Sequence, residues 1–267
     1  MPPDGAAGDG AGPSDERTPR APHPLLVSAA AMVFVSDPTS PVVEDADLRH
    51  LLDVLRLRPG EPVIAADGAG RWVPCRISGS ATAKGSRGAD AGGLLVPDGP
   101  PVVDRRPLPE ITVAFAPTKG DRPEWVVQKL TELGVDRIVP LRTSRSVVRW
   151  EGDRAAKSVE RLRRVVREAA GQCRRARLPD VTEVCRLEDV GAVAGSPVVL
   201  ADAGGGAPGL DRPVVAVGPE GGWDPAERDG FGPTVGLGAT VLRAETAAVT
   251  AGALLCALRN GVVLPLA

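Results

Sequence analysis

The chain has 267 residues, 43% apolar and 25% charged, with a formal net charge of −2. The apolar share excludes disorder throughout, and the length suits one large domain or two smaller ones. The richest apolar stretch, Leu25 to Val35, has 11 residues, short of the roughly 18 a membrane span needs.

Arg17, Arg20 and His23 precede that stretch as in a signal peptide, but Asp4, Asp9, Asp15 and Glu16 do not suit a basic leader. Cys75, Cys173, Cys185 and Cys256 form no CxxC, and the two histidines are His23 and His50. Neither a zinc site nor a disulfide framework fits; reduced cysteines in a cytoplasmic protein without a metal do.

Residues 1–24 are mainly small, with almost no large apolar side chain, and read as a flexible tail. Strand-like runs follow at 32–37, 61–68 and 71–78, the last two joined by the turn residues Asp67, Gly68 and Gly70. Between the first two, Leu48, Leu51, Leu52 and Leu55 fall at helical spacing, predicting a helix over 44–55. The low-complexity stretch 78–93 reads as a surface loop, and LLVPD (94–98) resumes the strands. Residues 25–104 thus form a small barrel, with a boundary in the Pro/Arg-rich linker 100–109.

After Pro109 strands and helices alternate, which predicts a parallel sheet covered on both faces over 108–267. Strands are expected at 111–117, 136–141, 197–202, 213–218 and 234–238. The first is followed by a helix that Asp121 caps with Glu124 as capping-box partner and that Gly134 ends. A long helix over about 153–176 turns Val159, Leu162, Val165, Val166, Ala169, Ala170 and Cys173 to one face. Asp224, Pro225 and Glu227 open a shorter helix, and a last helix spans 245–260.

Charge is uneven. Residues 137–177 carry 13 Arg/Lys against four acids, and the remainder is therefore strongly acidic. That asymmetry suits a polyanionic partner or a solvated basic helix alike. Two glycine-bearing segments, 218–223 and 237–243, sit at carboxyl ends of predicted strands, where α/β sheets bind ligands. No P-loop or nucleophile elbow is present. Apart from Arg243 these loops lack cations, which favours a neutral or cationic nucleoside such as S-adenosylmethionine over a polyphosphate.

The blocks KGDRPEWVVQKLTELGVDRIVPLRTSRS (119–146), EAAGQCRRARLP (168–179), GPEGGW (218–223) and LGATVLRAETA (237–247) resemble, in order, signatures of the 16S ribosomal RNA uracil-N3 methyltransferases (RsmE-type) of the SPOUT class. HLLDVLRLRPGE (50–61) is similar to that family's HxxxVLR segment. The resemblance covers roughly residues 32–265; GPEGG alone is shared with other SPOUT enzymes.

The resemblance implies an α/β fold: an N-terminal PUA-like β-barrel and a C-terminal SPOUT domain whose last segment threads a deep trefoil knot. It implies a homodimer acting on 16S rRNA of the small ribosomal subunit, with S-adenosylmethionine in the knot. Carried onto this chain, the cofactor cleft uses Leu200, Ala201, Asp202, Gly218, Glu220, Gly221, Gly222, Leu237, Gly238, Leu242 and Thr246. RNA contacts fall to Arg56, Arg145, Gln172 and Arg175. The small face of the last helix (Ala247, Ala248, Ala251, Gly252) serves either the dimer or the core.

Uracil N3 becomes a nucleophile once its proton leaves, and a cation near O2 or O4 stabilises the anion. Arg145 and Arg243 are the candidates, unless Arg243 is instead paired with Glu220 or Glu245. The chain departs from the family at Ala30–Phe34, where an Arg-rich start is usual, and at Asp202, where Glu is more common. A SPOUT enzyme acting on tRNA or on a ribose 2′-hydroxyl, and a non-catalytic RNA-binding protein, remain open at this point.

Overall fold

The computed structural model describes residues 21–79 and 93–264. Most of the expected tail and of the 78–93 loop lie outside the described residues.

The first unit is a five-stranded sheet. β1 (Ala31–Phe34) runs parallel to β2 (Pro62–Ala66). β3 (Arg71–Ile77) pairs antiparallel with β2, with β4 (Leu95–Pro97) and with β5 (Val102–Val103). β5 lies inside the expected linker, so the chain through Asp104 packs with this sheet; the Asp104 amide donates to Gly70 O at 2.8 Å. A one-turn helix, α1 (Pro24–Ser28), also precedes β1, where the sequence suggested only an apolar run.

The helix expected over 44–55 is shorter and changes type. α2 (Asp45–Arg49) passes into a π-helical turn, His50–Val54, closed by the Leu55 amide on His50 O at 2.9 Å. The wider turn keeps Leu51 fully buried but rotates Leu55 out to 41% exposure. Leu57 packs against the core in its place, after Arg56 has reversed the chain at φ 55°.

The second unit is a parallel sheet built from β6 (Thr112–Phe115), β7 (Arg137–Arg142), β8 (Asp180–Val181), β9 (Cys185–Arg186), β10 (Val198–Gly206) and β11 (Val214–Val217). Its order is β10-β11-β6-β7-β8, with β9 also paired to β7. The helices are α3 (Arg122–Leu133), α4 (Gly152–Cys173), α5 (Val190–Ala194), α6 (Pro225–Asp229) and α7 (Ala244–Arg259). Alternation along the strands divides the core. Val113 and Val215 join α3, α4 and α7 through Leu130, Leu162 and Leu255. Ala114, Val139 and Ala216 face Leu187, Val190 and Trp223 on the other side.

Two local expectations need correcting. Asp121 precedes α3 without a side-chain cap bond, its φ/ψ of −92°/4° lying outside the extended region of an N-cap, and Glu124 pairs with Arg161 of α4; the capping box forms at Asp224 and Glu227 of α6. Residues 234–238 form no ladder strand: only Val235 bridges, to Ala201 and Gly206. Of the two roles left open for the small face of α7, the core takes Ala248, Ala251 and Gly252, while Ala247 is only partly buried. Ala248 and Ala251 are at most 1% exposed, and a Cβ on Gly252 would meet Leu130 Cδ2 at 2.6 Å.

Where residue 235 bridges, two backbones pass at close range. The Gly206 amide donates to Thr234 O at 2.9 Å and the Gly236 amide to Gly206 O at 2.8 Å. A Cβ on Gly205 would lie 2.4 Å from the Val235 carbonyl carbon, and one on Gly236 2.7 Å from Gly205 O. Only glycine permits that approach.

Both ends of the second unit meet at Asp136. Its carboxylate accepts from the Ile111 amide (2.9 Å), from Arg175 (3.4 Å) and from Arg259. Arg259 also donates to Pro109 O and Gly134 O, at 3.2 and 2.7 Å. This buried cluster fastens the carboxyl end of α7 to the starts of β6 and β7.

Candidate active site

A crevice of about 430 Å³ opens where the pairing of β10 with β11 ends, at the carboxyl edge of the sheet. Its walls are the middle of β10 just past its pairing with β11 (Ala201, Asp202, Ala203), the loop after β11 (Gly218, Pro219, Glu220, Gly222, Trp223), and the approach to α7 (Leu237, Gly238, Thr240 to Ala244) with Ala247. The size lies in the range of small-molecule sites, and the lining is mostly apolar with main-chain polar groups.

Each wall has a local cause. Trp223 lies under the β11 loop, its Nε1 donating to Ala201 O at 2.9 Å. A Cβ on Gly218 would come within 3.1–3.4 Å of the Trp223 ring, so glycine lets the loop rest on it. Gly222 and Gly238 take φ of 69° and 148°, a region side chains rarely adopt. Asp202 Oδ1 accepts from the Ala203 amide at 2.9 Å and Oδ2 pairs with Arg228 at 2.9 Å.

Of the expected cofactor residues, the structure brings Ala201, Asp202, Gly218, Glu220, Gly222, Leu237, Gly238 and Leu242 to this crevice. Leu200 is fully buried in the core behind it. Gly221 faces Arg145 instead, its would-be Cβ 3.6 Å from Arg145 Cβ, and Thr246 is exposed on α7. The walls Ala203, Val217, Pro219, Trp223, Thr240, Val241, Ala244 and Ala247 are not among the residues expected to hold the cofactor. Trp223 stood in the GPEGGW block, but only its bond to Ala201 shows its part.

The two candidate arginines differ. Arg145 donates to Gly221 O at 3.2 Å and lies 3.7 Å from Asp224. It braces the β11 loop, aided by Glu227, which accepts from the Ser144 amide at 2.7 Å. Arg243 lines the crevice itself, with no ion pair among the described residues. Glu220 and Glu245, its alternative partners, lie 4.0 and 3.6 Å from Arg122.

The expected RNA contacts divide as well. Arg56 and Gln172 are exposed. The Arg175 side chain is only 16% exposed and donates to Thr131 O at 3.1 Å as well as to Asp136. Burial pulls its guanidinium below the ordinary value, against the pull of Asp136. Its geometry is that of an internal strut, not an open phosphate contact.

Several neighbours of Arg175 in α4 and beyond are likewise occupied. Arg167 donates to Phe34 O (2.7 Å) and Asp47, Arg174 to Ala30 O (2.7 Å), and Arg177 to Asp104 O (2.9 Å). These contacts join the first unit to the second. Arg163 is taken by Glu160, Glu183 and Val181 O. Much of the basic segment is therefore a seam within the protein.

A parallel α/β sheet with a nucleoside-sized crevice at its carboxyl edge, joined to a small β unit, defines a class: residues 104–256 match the RNA methyltransferase domain and residues 43–84 the RNA methyltransferase PUA domain. The sequence is 35% identical to ribosomal RNA small subunit methyltransferase E of Mycobacterium bovis, over 79% of this chain and 83% of that one. It is 29% identical to the protein of that name in Bacillus subtilis, over 75% and 83%. The chain belongs to the ribosomal RNA small subunit methyltransferase E family.

Solved structures agree. The Neisseria gonorrhoeae ribosomal RNA small subunit methyltransferase E bound to S-adenosylmethionine superposes with a TM-score of 0.66 at 27% identity, covering 84% of this chain and 95% of that one. A Legionella pneumophila protein in complex with the same cofactor gives 0.68 at 26%, covering 84% and 96%. The crevice here fits such a ligand: its glycines leave main-chain amides and carbonyls open, and its apolar floor suits an adenine ring. Among the described residues no helix is long and apolar enough to cross a membrane.

Proposed function

We propose that this chain methylates N3 of one uridine in 16S rRNA of the small ribosomal subunit, using S-adenosylmethionine. The observation that carries the reading is the glycine-built crevice in a chain whose relatives of the same fold were solved with that cofactor. In this reading residues 25–104 are a PUA-like barrel and 108–267 a SPOUT domain. The close passage of Gly205 and Gly236 is a crossing of its trefoil knot. The enzyme is a cytoplasmic homodimer; Val241, 94% exposed beside the crevice, is a residue a second copy would cover.

When bound, S-adenosylmethionine supplies an electrophilic methyl group on a sulfonium. The chain's own contribution is chiefly positioning. Main-chain groups of 218–222 and 237–242 hold the donor, and Trp223 fixes the floor. Arg243, the cation of the crevice wall, stabilises the charge that appears as N3 loses its proton. Arg145 acts one step back, by holding Gly221. The proton passes to solvent or to Glu220 or Glu245, whose carboxylates lie 4.0 and 3.6 Å from Arg122.

Tritiated-methyl transfer with mapped product tests the reading. Label is expected at N3 of one uridine when small subunits are offered. Label in tRNA or on a ribose hydroxyl would move the chain to another SPOUT substrate. Absence of cofactor binding in calorimetry would leave a non-catalytic RNA-binding protein.

A further inference from the structure

We infer that the amino-terminal half of α4 and the loop after β6 form a cleft for the phosphodiester backbone of the substrate RNA, distinct from the residues assigned above. The inference rests on the RNA-methyltransferase reading and extends it to the docking of the nucleic acid.

A second concavity, about 680 Å³, lies at the carboxyl ends of β6 and β7. Lys119 enters it from the β6 loop, and Arg154, Lys157, Arg161 and Arg164 from α4. Only Arg161 has an acidic partner, Glu124. Lys119, Arg154, Lys157 and Arg164 are exposed and have no ion pair among the described residues.

Positions 154, 157, 161 and 164 recur at three and four residues, so they share one stripe of the helix. Like charges at that spacing destabilise a helix, and only Glu124 offsets them. The contrast with the rest of the segment is the informative point. Arg163, Arg167, Arg174, Arg175 and Arg177 are spent on carboxylates and carbonyls, whereas this stripe is left open to solvent.

From 154 to 164 the stripe covers ten residue steps, about 15 Å at the helical rise. That is too long for one phosphate group and suits successive phosphates of a strand. Cations without base-edge readers position RNA and do not select sequence. The cleft also adjoins the crevice. Both open on the carboxyl edge of one parallel sheet, and Arg122, three residues after Lys119, faces Glu220 and Glu245 at the crevice side. RNA lying along the stripe can therefore deliver a nucleotide to the crevice.

The test is the full chain with Arg154→Gln and Arg164→Gln together, measured by RNA binding across a salt series and by methyl transfer. The log–log salt slope is expected to fall by about 1.4 in magnitude, at about 0.7 per single-strand phosphate contact. KM for RNA rises several-fold, while S-adenosylmethionine affinity in calorimetry stays unchanged. Arg212→Gln, on a surface pair with Asp211 away from the cleft, keeps the wild-type slope.

An unaltered slope and KM in the double variant would overturn the inference, as would an equal slope change in Arg212→Gln. Retention by anionic lipid vesicles with no change in RNA binding would also overturn it, in favour of a membrane surface. Failure of the wild-type chain to methylate any RNA would strike the functional reading instead; the salt slope still reports on the cleft.

Discussion

Replacing Asp136 with asparagine keeps the shape of a side chain that is 4% exposed and removes its charge. Arg259, itself 5% exposed, then loses its carboxylate, and Arg175 at 16% loses its own. The new amide must also direct a donor at one of these guanidinium groups or at the Ile111 amide, 2.9 Å away. Breaking a buried ion pair on one side costs about 3–5 kcal/mol. With a urea slope of about 2 kcal/mol/M, the midpoint should fall by about 1.5–2.5 M. Glu160→Gln, which breaks the exposed Arg163 pair, should cost under about 1 kcal/mol. Because the cluster anchors α7, whose first turn contributes to the crevice, cofactor affinity should fall alongside stability. An Asp136→Asn midpoint within about 0.5 M of wild type, at unchanged slope, would refute the idea that this cluster fastens the carboxyl-terminal helix.

Gly205→Ala places a methyl group against the Val235 backbone; both contacting atoms are main chain, so a loss of about 3 kcal/mol is expected, and a thermal midpoint equal to wild type would contradict the close passage. Arg243→Gln should lower kcat by about 100-fold, as for loss of one oxyanion donor, with RNA KM nearly constant; a change confined to KM would make it a binding residue. Burial pushes the Cys75 and Cys256 thiols from 9.0 up to about 11. The unfolded chain therefore ionises first: stability is level below about pH 9 and falls as pH rises toward 11, by about 1–2 kcal/mol per thiol near pH 10.5. Urea midpoints at pH 8 and near pH 10.5 check this, and equal values would place both thiols in contact with water.

Periodicity and end signals in the sequence by themselves determined the alternation of β6 to α4, the stop of α3 at Gly134 and the capping box at Asp224. These depend on residues within a turn or two of one another. The two glycine-bearing segments were legible for the same reason, since strand ends followed by glycines mark where a sheet admits a ligand. The π turn at His50–Val54 was not, because which leucine faces inward depends on where β1 and β2 place the core. Nor was the passage of Gly205 against Gly236, which needs two segments 31 positions apart to meet. The basic segment shows the division most clearly. Its charge was countable from the letters, but an arginine becomes a strut or an open cation according to the carbonyls and carboxylates brought beside it. Arg175 meets Thr131 and Asp136, while Arg164 meets none among the described residues; that difference exists only once distant parts of the chain have packed.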